Sequence, residues 1–163
     1  MSDCLWNDID TYLMAALTAD MGASSAYAVH KLAQVAAGES WDHNQVSYPF
    51  AFVRGMRRDP ATEYWHEGDE ALHYDSVYPY LIIFACVGDN LATVRQTVKE
   101  LERRGRLAIA ARPELGELAA TDGEIVTRVE IGRSQVELGG INGHDLGQYI
   151  GLAGFELTVY AET

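Results

Sequence analysis

Residues 77–87 read VYPYLIIFACV, the most apolar stretch of the chain, preceded by Asp75 and followed by the turn sequence Gly88-Asp89-Asn90. A run rich in β-branched and aromatic residues, closed at both ends by turn formers, predicts a strand buried on both faces at the heart of a sheet. Its continuous apolar part, Tyr80 to Val87, falls well short of the roughly 20 residues a spanning helix needs, so the chain is expected to be soluble.

Working outward from this strand, Asn90 can cap a helix in which Leu91, Val94, Val98, Leu101, Gly105 and Ala108 recur at three- and four-residue steps until Pro113. A glycine on that apolar face costs about 1 kcal/mol relative to alanine, which points to close packing of the helix backbone on a sheet at Gly105. Leu115 to Thr121 reads as loop and Asp122-Gly123 as a turn, followed by a strand from about Glu124 to Leu138, bent at Gly132. Tyr149 to Ala161 alternates Phe155, Leu157 and Val159 with Glu156 and Thr158, a closing strand.

Upstream, Val46 to Met56 reads as a strand whose Pro49 suits an edge or a first position, and Ala61 to His66 as a short strand inside a polar stretch. Leu5, Ile9, Leu13, Ala16 and Leu17 line one face of an N-terminal helix over Leu5 to Met21, with Ser2 or Asp3 as its cap. Ala26 to Ala37 offers a weaker helix that Gly38 can end. Helices that bracket runs of strands joined by hairpin-length links predict an α+β fold: a mainly antiparallel sheet packed by a long helix (about 91–112) and the N-terminal helix. The expected organisation is a single domain over 1–163, with flexible loops at about 57–75 and 138–148.

The chain has 163 residues, 48% hydrophobic and 22% charged, enough to bury a full core without disulfides or a structural metal. Its net charge is −12, and Lys31 and Lys99 are its only lysines. That balance disfavours a broad grip on nucleic acid or anionic lipid, which needs clustered cations. Cys4 and Cys86 stand far apart and form no CxxC motif, and the start MSDCLWNDID has neither the basic nor the apolar region of a secretory signal.

The densest set of chemical groups is His66-Glu67-Gly68-Asp69-Glu70-Ala71-Leu72-His73-Tyr74-Asp75. An HExxH zinc helix would need histidine where Glu70 stands, so the stretch reads as a solvated acidic loop. Cys86 lies in the apolar run, Cys4 beside Asp3 and Asp8, and Ser134 outside any GxSxG elbow; none is a promising nucleophile. Gly139-Gly140-Ile141-Asn142-Gly143 lacks the spacing of a phosphate loop. No catalytic, cofactor or metal residues are therefore assigned, and an enzyme is not expected. Two arginine groups stand out: Arg54, Arg57 and Arg58, and Arg103, Arg104, Arg106 and Arg112. With the acidic Glu67, Asp69, Glu70 and Asp75, they are candidates for contacts between copies of the chain.

The order of elements, from Tyr48-Pro49-Phe50-Ala51-Phe52-Val53 through the apolar strand and long helix to the closing Gly154-Phe155-Glu156-Leu157-Thr158-Val159-Tyr160, resembles the tail terminator, or tail-completion, proteins of long-tailed phages. The likeness covers the chain from Tyr48 onward and rests on order and texture; residues 22–44 match poorly. It implies a homo-oligomeric ring, commonly a hexamer, that stops tail-tube polymerisation. The implied partners are the tail-tube protein on one face and a neck or head-completion protein on the other, with no cofactor and no membrane. The implied location is the head–tail interface of the virion, after assembly in the host cytoplasm. A chain of this length approximates a sphere of about 20 Å radius, and six such spheres in a ring enclose a hole of about 40 Å. Duplex DNA, about 20 Å across, passes through, and an acid-rich wall would let it pass without specific binding. Other candidates are a tail-tube or other neck protein, a plain adaptor module, and a small metal-dependent enzyme using His66, Glu67, Asp69 and His73.

Overall fold

The computed structural model of the chain describes residues 5–56, 64–66, 73–119, 123–140 and 148–162, with residues 43, 64–66, 73–75 and 138–140 described by their backbone alone. In chain order the elements are α1 (Leu5–Met21), β1 (Gln34–Ala37), a single 3-10 turn (His43–Gln45), β2 (Phe50–Gly55), β3 (Tyr64–His66), β4 (His73–Gly88), α2 (Leu91–Ala110), β5 (Ile125–Gly140) and β6 (Tyr149–Glu162). The strands form one sheet in the order β1-β2-β4-β6-β5, with β3 joined to β4. Only the β1–β2 pair is parallel. The protein is thus α+β, its sheet mostly antiparallel and packed by a long helix.

β4 is the spine, its 16 residues spanning roughly 50 Å at strand rise. It pairs with β6 along its length, from Asp75 opposite Glu162 to Gly88 opposite Tyr149. On its other side β2 pairs only from Phe50–Ala85 to Gly55–Tyr80. The next residue explains the stop: Met56 N–H donates to Pro79 O at 2.8 Å, and Pro79 has no N–H to return. β3 takes up the same side of β4 farther on.

Both described helices lie on one face of this sheet. α1 buries Leu5, Ile9, Leu13, Leu17 and Met21, and Tyr80 Oη ties it to β4 by donating to Asp10 Oδ1 at 2.7 Å. α2 starts at Asn90, whose side chain accepts from Thr93 N–H at 3.1 Å, and sets Val94, Val98, Leu101 and Ile109 over β4 and β6. Phe84 and Phe155 stack beneath it, with ring centroids 6.2 Å apart. A methyl group at Gly105 would sit 2.0 Å from Phe84 Cζ, so the glycine does mark close helix–sheet contact. Off the sheet, Tyr78 Oη donates to the carboxylate of buried Glu124.

Three expectations need correction. Ala26 to Ala37 is not a helix: its end forms β1, because Gln34–Ala37 supply hydrogen bonds to the side of β2 that β4 leaves free, and Tyr27 and Val29 stand exposed. The strand expected at Val46 begins only at Phe50, and it is internal, with β1 and β4 on either side. Of the short strand expected at Ala61 to His66, Tyr64–His66 form β3 as expected, and residues 61–63 lie outside the described residues. The apolar run is not buried on both faces: Tyr78, Tyr80, Ile82, Phe84 and Cys86 are buried under the helices, while Val77, Pro79, Leu81 and Ile83 are half-exposed opposite. The bend expected at Gly132 is a bulge between Ile131 and Ser134, and a second falls between Val126 and Arg128. Each adds one residue, and the one between Val126 and Arg128 lets Val126, Val129 and Ile131 all reach the helix-side core. The caps expected at Ser2 or Asp3, and most of the two expected loops, lie outside the described residues.

Gly105→Ala should lower stability by about 1–3 kcal/mol in urea unfolding despite its better helix propensity, because the added methyl meets a fully buried ring. Adding Phe84→Leu should recover part of the loss.

Candidate functional site

Because α1 and α2 share one side, the described residues cover the other side of the sheet only at one end. There Trp41, Val46 and Tyr48 lie on Phe50, Phe52 and Ala85, with the Trp41 ring 5.0 Å from Phe52 and 5.2 Å from Phe50. Burial pushes the Tyr48 hydroxyl pKa above its ordinary value. Next to this cluster is a cleft of about 460 Å³. Pro79, Leu81, Ile83 and Leu152 give it an apolar floor, and Arg133, Glu137 and Glu156 bring charge to its edge. Such a face does not follow from a continuous apolar run, which reads the same whether one face or two are covered.

The expected arginine sites separate. Arg54 is exposed near the end of β2, while Arg57, Arg58, Glu67, Asp69 and Glu70 lie outside the described residues. On α2, Arg103 and Arg104 both reach Glu100, at 3.5 and 3.3 Å, and Arg106 pairs with Glu102 at 3.0 Å. Ser134 Oγ donates to the same Glu102 at 2.6 Å, tying α2 to β5. Arg112 forms a fork onto Asp20, at 2.7 and 3.1 Å, joining the ends of the two helices. That hydrogen bond holds the Arg112 guanidinium pKa above its ordinary value.

Of this group Arg103 keeps the most open side chain, at 63% exposure. It belongs to a stripe at four-residue spacing, Leu91, Arg95, Lys99, Arg103 and Leu107, all exposed on the side of α2 away from the sheet. The molecule therefore has a basic, partly apolar helix stripe on one side and an apolar cleft edged by two glutamates and an arginine on the other.

Cys86 is buried, its thiol donating to Val94 O at 3.4 Å, and burial raises its pKa against a smaller lowering by the Gly151 backbone. The Ser134 hydroxyl is taken up by the carboxylate of Glu102, which also pairs with Arg106. Among residues with described side chains, no three His, Cys, Asp or Glu groups are gathered to hold a metal ion. The backbone does add one fact to the acidic stretch: β3 and β4 pair so that His66 is opposite His73. No helix among the described residues is long and apolar enough to cross a membrane.

No family model matches this chain, and no curated protein matches it either.

Two measurements check this geometry. In a Cys4→Ser background, Cys86 should resist a thiol reagent at pH 8 in the folded protein and react quickly once unfolded, since its raised pKa reduces thiolate below the ordinary fraction and burial blocks access. Arg112→Met should cost about 0.5–1 kcal/mol of stability, and a double-mutant cycle with Asp20→Asn should show that most of it belongs to the pair.

Proposed function

We propose that this chain is a structural virion protein of the tail-terminator kind, acting as an oligomeric ring, a hexamer by resemblance, that caps the tail tube and joins it to the neck. The observation that supports it best is the pair of unlike surfaces on opposite sides of the molecule. A face that differs from its complement on the same chain makes head-to-tail contacts, and these close into a ring when the rotation between neighbours permits. The stripe Arg95, Lys99, Arg103 with Leu91 and Leu107 suits the cleft of the next copy, where Leu81 and Ile83 offer apolar surface and Glu137 and Glu156 offer charge.

In this reading Arg103 is the contact arginine, while Arg104 and Arg106 act chiefly within their own helix. With a net charge of −12, an inner wall lined by carboxylates would have no general hold on phosphate, and DNA would traverse it without being a ligand. The same unlike surfaces without closure would give filaments, the behaviour of a tail-tube protein.

Negative-stain electron microscopy of the purified chain should show closed rings, and native mass spectrometry a single multiple of the chain mass, six on the present proposal. Leu81→Glu, in the cleft floor, and Arg103→Glu, on the stripe, should each shift the population toward monomer with unchanged circular dichroism. Filaments would replace the terminator by a tube protein, and a wild-type monomer indifferent to both substitutions would remove the ring.

A further inference from the structure

We propose that the loop between α1 and β1 is the apolar anchor of the ring contact, its Tyr27 and Val29 entering the open-face cleft of the next copy. The inference rests on the ring proposed above and names what fills its cleft. Tyr27 is 86% exposed and Val29 73%, the two most open large hydrophobic side chains among the described residues; the next, Leu107, is at 50%. Single exposed apolar residues are ordinary on a protein surface, but these two flank buried Ala28 on one short loop.

The loop that presents them is a built one. Gly22 and Leu32 close its base as a bridge, with Leu32 N–H donating to Met21 O at 2.7 Å. Inside it, buried Ser25 donates from Oγ to Asp20 O at 2.8 Å and accepts from Tyr27 N–H at 3.2 Å, while its own N–H donates to Gly22 O at 2.9 Å. A tyrosine carried on a fixed backbone loses little freedom on binding, which is what makes such residues effective anchors.

Two observations favour another copy of this chain as the receiving surface. The first is charge. From Met21 to Gly38 there is no acidic residue in a chain that has 24, and Lys31, one of its two lysines, is exposed in the loop. The cleft has the opposite sign, with Glu137 and Glu156 against Arg133 at its edge, and inside it Trp41, Leu81 and Ile83 offer surface on which a tyrosine ring and a valine can pack. Its volume of about 460 Å³ is in the range of pockets that hold whole small ligands, enough for both side chains. The second observation is position. Asp20 takes the Arg112 fork on its carboxylate and the Ser25 hydroxyl on its carbonyl, so the loop starts at the end of α2 that carries Leu107 of the basic stripe. One neighbour can therefore meet loop and stripe together, the loop on the apolar floor and the stripe at the glutamates.

The test uses the full-length chain with Tyr27→p-benzoylphenylalanine, mixed as isotope-labelled and unlabelled copies, irradiated where it assembles, and read by peptide mass spectrometry. Crosslinks between copies should fall on the cleft, at residues 79–83 or 152–158. In sedimentation, Tyr27→Ser and Val29→Ser should each raise the concentration for half-assembly at least about tenfold with unchanged circular dichroism, while Ala26→Ser, exposed in the same loop, leaves it unchanged. Assembly that persists in the Tyr27→Ser, Val29→Ser double variant, or crosslinks that fall elsewhere, overturns the role of the loop and leaves the ring standing. A wild-type chain that stays monomeric at every concentration removes the ring, and the role of the loop with it. If the serine variants fail to fold, the crosslink alone decides.

Discussion

The descent of α2 onto the ring of Phe84 at Gly105 is the contact on which the rest of the architecture depends. Without a side chain at that turn, the helix backbone meets the central strand directly, and Val98, Leu101 and Ile109 close around Phe84 and Phe155. Dispersion attraction falls off steeply with separation, so a lift of even an ångström would loosen that whole layer. The same seating fixes which face of the sheet is roofed. With α2 held against β4 and β6 and α1 beside it over β1 and β2, the opposite face has no described helix to cover it.

Local signals were legible where one physical cause dominates. The periodicity of Leu5–Met21 and of the helix after Asn90 is enforced by burial of one stripe, and both helices formed over almost the expected residues. The alternation of Phe155, Leu157 and Val159 marked β6 for the same reason. The failures came where pairing outranks pattern. Gln34–Ala37 is weakly patterned and becomes a strand because a neighbour's backbone needs partners, which no window of the sequence contains. The exposed side of β4 was hidden too, since Leu81 and Ile83 look like core residues whether or not a second layer exists.

For the candidate sites, residue type was readable and relation was not. The arginines of α2 were visible as a cluster, but helical spacing divides them: Glu100 and Glu102 engage the cluster from within, and the outward stripe retains Arg103 with Arg95 and Lys99. The two histidines flanking an acidic stretch were visible as well. Their opposition is a property of strand register, fixed by hydrogen bonds between segments whose connection has no preferred length.

The two bulges of β5 also bear on how copies can meet. β5 ends the order of the described strands, and beyond Val126, whose N–H donates to Leu118 O, it offers a long side of backbone donors and acceptors to any passing strand. An extra residue at each of two points breaks that side into short, differently twisted lengths, and a straight strand can match only one of them at a time. Growth by endless strand addition along this side is thereby discouraged.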